Sequence, residues 1–199
     1  MKVAEKMLEN DGVIESKRMK VAVMFIDIRN FTHFAAGKNP EEIVQYQNAF
    51  FSIVIDIVTR HDGIINQILG DGCMVTFGAP LPLHNPSHKA VSAATEILGQ
   101  LDDAVSKGRI YPTKIGIGLH TGEAVTGNID TDTRQQYSIT GTVVIMAARI
   151  EQLNKEFQSQ LLISEDVMSC MGGIATETKL YRNVAIKGFD KPMSVYKVA

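Results

Sequence analysis

Cysteine is scarce in this chain: Cys73 and Cys170 are its two, far apart and outside any CxxC pair. That excludes a disulfide framework and a cysteine-built zinc site, and free thiols of a reducing compartment are expected. Long hydrophobic runs are also missing, since none approaches the ~20 residues that cross a bilayer. Met1–Asn10 has no apolar segment of the signal-peptide kind. A cytoplasmic chain with no membrane partner is therefore expected. Nor is there an excess of one charge. The formal net charge is −2 and the basic residues are scattered, so no nucleic-acid surface is expected. Internal repeats and low-complexity segments are absent.

What is present suits one globular domain. With 199 residues, 45% of them hydrophobic, the chain can bury a sizeable core. Val21–Ile26 runs without a polar break and reads as a strand buried on both faces, with Asp27 where that strand surfaces. A carboxylate there either caps the next turn or binds a ligand. Gly63–Phe77 reads as strand, tight turn, strand, with Leu69-Gly70-Asp71-Gly72 as the turn and its Asp-Gly pair suited to φ > 0. If the two strands are neighbours, Asp27 and Asp71 meet at one sheet edge. Paired carboxylates suit hard divalent cations, and two such ions clamp a phosphate for in-line displacement.

The remaining elements follow in order. Met1–Met19 is polar, with Val3, Met7 and Leu8 as its apolar anchors, and reads as a tail or linker ahead of a domain over 20–199. Asn39-Pro40-Glu41-Glu42 starts a helix whose stripe Ile43, Tyr46, Phe50, Val54 and Ile57 is core, ending near His61. Ser87 is expected to open a second helix. His84 and His88 are four apart, but Pro86 between them and the lack of a third ligand argue against zinc. In Thr113–Leu119 the alternating Gly116 and Gly118 let a backbone or helix come close. His120-Thr121-Gly122 is expected to turn, with His120 structural rather than a general base. Tyr137–Thr140 is a strand, 141–154 a helix, Leu161–Ser164 a strand, and Tyr181–Val198 a closing hairpin around Lys187-Gly188. Interleaved helices and hairpins indicate an α+β fold.

Four stretches carry a resemblance in order: FIDIRNFT; ILGDG with VTFGAP; IGIGLHTGEAVTGNI; and YSITG running into MAARIE. Together they resemble the class III nucleotide cyclases, the adenylate and guanylate cyclase catalytic domain. The resemblance implies a ferredoxin-like βαββαβ core with additions, and the cyclisation of a nucleoside triphosphate to a cyclic nucleotide and pyrophosphate. By resemblance, Asp27, Asp71 and the carbonyl of Ile28 bind two divalent cations, Mg2+ or Mn2+. The backbone from Arg29 through Asn30, Phe31 and Thr32 faces the β- and γ-phosphates. Asn30 replaces the usual glycine but tolerates left-handed geometry. Arg149 is placed at the transition-state arginine, and Lys187 at a lysine holding the terminal phosphate. Read on its own residues Arg149 is first a solvated helix arginine, and Lys187 is equally a hairpin lysine.

Other positions depart from the family. Ile145 stands where an asparagine orients the ribose, four residues before Arg149. Gln67 replaces the purine-reading lysine, and Ser138 its aspartate or threonine partner, resembling the threonine-bearing, often bicarbonate-responsive subgroup. Family sites form between two domains, so a homodimer is implied. ATP is expected over GTP, with GTP the other candidate. The competing reading is a degenerate domain that binds nucleotide without turnover, or the metal-bearing half of a heterodimer.

Overall fold

The computed structural model describes residues 16–131, 134–172 and 177–199. Most of the expected N-terminal linker thus lies outside the described residues. Strand β1 spans Lys17–Ile28, helix α1 Phe31–Ala35, α2 Pro40–Arg60, β2 Gly63–Leu69, β3 Gly72–Phe77 and α3 Pro86–Ser106. Then come β4 (Ile115–Thr131), β5 (Arg134–Thr140), α4 (Thr142–Leu153), β6 (Leu161–Ser164), α5 (Glu165–Met171), β7 (Lys179–Val184) and β8 (Met193–Lys197).

The strands form one sheet in the order β2-β3-β1-β4-β6-β8-β7, with β5 paired to β4. Its first four members, with α2 and α3 as crossovers, are the expected βαββαβ core, and the rest are the additions. β1 is central. It runs antiparallel to β3 on one side and to β4 on the other. Val21, Ala22, Val23 and Met24 are all fully buried, as a strand covered on both faces requires. Ala22, Met24 and Ile26 join the core of α2 and α3 through Phe50, Val54 and Ile97. Val21 and Val23 pack with Val143 and Ala147 of α4 on the opposite face. By strand alternation Asp27 belongs to the α4 side.

Glycine sets how close α4 sits. A Cβ on Gly118 would lie 2.6 Å from the Ala147 carbonyl oxygen and still closer to the backbone of Glu151. The helix therefore rests on bare β4 backbone, as the alternating glycines suggested.

Three local expectations are corrected. The segment His120-Thr121-Gly122 does not turn. β4 runs through it, because Val23, Ala22 and Val21 pair with those three residues and leave no free backbone for a turn. His120 is instead a half-buried strand residue 2.8 Å from Ser164 Oγ, and its partial burial lowers its pKa against the pull of Asp166. Ser87 does not open α3. Left-handed Asn85 is the cap and Pro86 the first helical residue, with Ser87 buried inside the first turn. The β2–β3 turn takes its positive φ at Gly70. Gly72 is needed for close approach, since a Cβ there would strike the Ile26 carbonyl oxygen.

Candidate active site

Asp27 and Asp71 meet. In the β1–β3 ladder Asp27 is opposite Gly72, and the Ile28 amide donates to the Asp71 carbonyl at 3.1 Å. On the other side Asp27 is opposite Gly116. Both cross-strand neighbours lack side chains: a side chain on Gly72 would strike the Ile26 carbonyl oxygen, and the space beside Gly116 is taken by the Arg29 guanidinium. Burial raises the Asp27 pKa, and the Asp71 charge raises it further. Arg29 and then Lys155 oppose this. The carboxylates are thus close enough to repel, and a cation would relieve that repulsion. Two hard oxygen donors with a backbone carbonyl beside them fit a divalent cation such as Mg2+ or Mn2+. Among the described residues no group of three or more His, Cys, Asp or Glu side chains gathers as a metal site. His84 lies before α3 and His88 within it, so the helical i,i+4 spacing does not apply to them.

The loop after β1 has the geometry expected of it. Asn30 is left-handed, with φ 58 and ψ 26, and begins α1. The helix is pinned from below: Phe34 lies against Tyr46 at 4.6 Å between ring centroids, and Phe31 stacks on the same ring at 6.3 Å. The Tyr46 hydroxyl is tied to Thr113 at 2.9 Å.

The other site residues are not gathered around this seat within one chain. Ile145 is 52% exposed on the outer side of α4. Arg149, one turn on, donates to Gln152 at 2.9 Å. Gln67 is exposed on β2, the edge strand. Ser138 is half-buried on β5, 3.5 Å from the Thr140 hydroxyl. Lys187 is exposed in the connection between β7 and β8, and β8 lies three strands from β1.

Sequence reasoning missed the Arg29 side chain and Glu151. The guanidinium lies where a Gly116 side chain would be. Its Nη2 is 2.8 Å from Glu151 Oε1 and also donates to the Glu151 carbonyl at 3.3 Å, while its Nη1 is 3.8 Å from Asp27 Oδ2. Burial pushes the Glu151 carboxyl up to about 7 from an ordinary 4.5, with Arg29 opposing. The folded chain therefore holds this proton more tightly than the unfolded chain. Stability from this group is full below about pH 4.5 and is lost as pH rises through 7, by at most about 3 kcal/mol. Melting followed between pH 5 and 8 is expected to fall along that window, and Glu151→Gln to flatten the profile.

Comparison with known proteins decides the family. The profile of the Adenylate and Guanylate cyclase catalytic domain matches residues 13–199. The chain belongs to that family. Among solved structures, the cyclase domain resembles the adenylyl cyclase CyaB from P. aeruginosa at 28% identity and a TM-score of 0.83, covering 94% of this chain and 96% of that one. It matches the guanylyl cyclase Cya2 at 30% identity and 0.80, covering 94% of each. An uncharacterized protein of Mycobacterium tuberculosis, Rv1318c, is 34% identical over 89% of this chain and 32% of its own length. The cyclase domain thus spans about a third of such curated relatives. No described helix is long and apolar enough to cross a membrane.

Proposed function

We propose that this domain converts ATP to 3′,5′-cyclic AMP and pyrophosphate as a homodimer. The bond formed joins the ribose 3′-oxygen to the α-phosphorus, the bond broken is that from the α-phosphorus to the bridging oxygen of pyrophosphate, and the hydroxyl proton is released. The observation that carries the reading is the juxtaposition of Asp27, near the end of β1, with Asp71 in the β2–β3 turn beside it. These carboxylates and the Ile28 carbonyl would hold two divalent cations, which when bound activate the hydroxyl and offset triphosphate charge. Asn30, Phe31 and Thr32 offer backbone amides to the β- and γ-phosphates. Arg149 and Lys187 meet the phosphates from the second copy, and Gln67 and Ser138 of that copy hydrogen-bond the base edge.

Exposed apolar side chains support the second copy. Ile68 and Leu69, 51% and 44% exposed, flank the turn that bears Asp71, and Ile145 lies on the same helix as Arg149. Gln67 is an amide that can hydrogen-bond an adenine edge, less strictly than the lysine it replaces. CyaB is an adenylyl cyclase and Cya2 a guanylyl cyclase, so likeness favours neither.

Ile145 supports a second reading, a domain that binds nucleotide without turning it over, alone or as the metal-bearing half of a heterodimer. The purified chain assayed with ATP and GTP in Mn2+ separates the two. Cyclic AMP is the expected product. Absence of any cyclic product at high protein concentration, with tight calorimetric binding of a non-cyclisable ATP analogue, supports the second reading instead.

A further inference from the structure

Asp27 and Glu151 lie on either side of one buried guanidinium. The Arg29 side chain is 13% exposed, Glu151 11% and Asp27 35%. Arg29 spends its Nη2 on Glu151 twice, once on the carboxylate at 2.8 Å and once on the backbone carbonyl at 3.3 Å. Its Nη1 is buried and makes no hydrogen bond, although Asp27 Oδ2 is only 3.8 Å away. A charge-assisted hydrogen bond would close to about 2.8 Å. The arginine therefore forms a loose ion pair with Asp27, held about 1 Å short of a hydrogen bond to it. The slot is fixed by Gly116, whose absent side chain is the space the guanidinium fills.

We infer that Glu151 is a positioning residue which holds Arg29 away from Asp27 and so keeps the Asp27 carboxylate free for a divalent cation. This rests on the reading of Asp27 and Asp71 as a cation seat. A guanidinium with no counterion of its own would turn its idle Nη1 onto Asp27 and compete with the ion for the same oxygens. With the Glu151 side chain beside it, Arg29 has a partner of its own and stays 3.8 Å from Asp27. Supports of this kind, one step removed from a metal, typically change its affinity 10–100-fold.

The test is a double-variant cycle read by direct Mn2+ binding to the full chain without nucleotide. Loss of the free-ion paramagnetic resonance signal is followed at pH 8.5. Glu151→Gln is expected to weaken Mn2+ binding about tenfold when Arg29 is present, and less than twofold in an Arg29→Gln background. Equal loss in both backgrounds means that Glu151 acts only by its charge through space, and overturns the inference, as does no loss in either. If Arg29→Gln does not fold, Arg29→Met, which fills the slot without charge, replaces it in the cycle. Asp27→Asn separates the role of Glu151 from the existence of the cation seat. Mn2+ binding by the parent chain that Asp27→Asn abolishes and Glu151→Gln leaves untouched removes this inference alone. No Mn2+ binding by the parent chain, or binding that Asp27→Asn leaves unchanged, removes the cation seat as well.

Discussion

Asp27→Asn and Asp71→Asn are each expected to reduce cyclic-nucleotide formation by about 10³-fold or more while leaving the fold intact. Each substitution removes a hard anionic donor from a seat that has two carboxylates and a carbonyl, and the remaining donors cannot neutralise two divalent ions. The stability side runs the opposite way. Burial and the neighbouring Asp71 hold the Asp27 carboxyl above its ordinary range, so its ionised form is a cost to the folded chain at neutral pH. A neutral amide of the same shape removes that cost. The melting temperature of Asp27→Asn should therefore equal or exceed that of the parent, the pattern of a residue kept for chemistry at the expense of stability. Activity and melting measured side by side decide the matter. Lost turnover with a lowered melting temperature would make Asp27 a structural cap at the end of β1, the alternative its position in the sequence left open.

That the two aspartates could meet was legible in part: each stretch is read locally, and only the pairing of their strands is not. The unbroken apolar run into Asp27 marks a central strand. The Gly70-Asp71 turn follows from its own residue types, and the β1–β3 ladder then sets Asp27 opposite Gly72, next in the chain to Asp71. The left-handed Asn30 was legible through the family resemblance, in which a glycine stands at that place. What failed depended on neighbours. His120-Thr121-Gly122 has turn-forming composition, but β1 supplies hydrogen-bond partners along its whole length, and pairing overrides propensity. Helix α5 is two turns long and shows no periodicity, and its start depends on Ser164, whose hydroxyl accepts from the Val167 amide at 3.3 Å.

The Arg29–Glu151 contact joins residues 122 positions apart, and no local pattern announces it. Two weak signals were present. Glu151 follows Ala147 by four on the buried face of α4, where a carboxylate needs a buried partner. Gly116 stands opposite Asp27 on the strand that α4 covers, so the space a side chain would have filled is available to a long one from elsewhere. Cation and pocket meet only in three dimensions. The sequence alone shows Arg29 as part of a loop and hides its role beneath the helix.

Ile145→Asn is expected to raise turnover by about 10²-fold or more, through kcat rather than KM. In the family an asparagine at this place orients the ribose, and one preorganised donor is typically worth ~10²–10³ in rate. The position accepts the change cheaply. Ile145 is 52% exposed and is absent from the core of α4, where Val143, Ala147 and Ile150 are buried, so no cavity opens. Asparagine costs the helix only a few tenths of a kcal/mol relative to isoleucine. One helical turn separates the new amide from Arg149, which places donor and guanidinium on one face toward the same substrate. An interaction made in the transition state and not in the ground state moves kcat while KM stays put. The measurement is steady-state cyclisation of ATP in Mn2+ by parent and variant at equal dimer concentration. A variant no faster than the parent would mean that another donor already holds the ribose, or that the two copies do not bring α4 to the carboxylate seat. Mixing Asp27→Asn with Arg149→Ala separates those outcomes: in a shared interface each homodimer lacks one half of both sites, the mixed dimer holds one complete site, and activity must reappear on mixing.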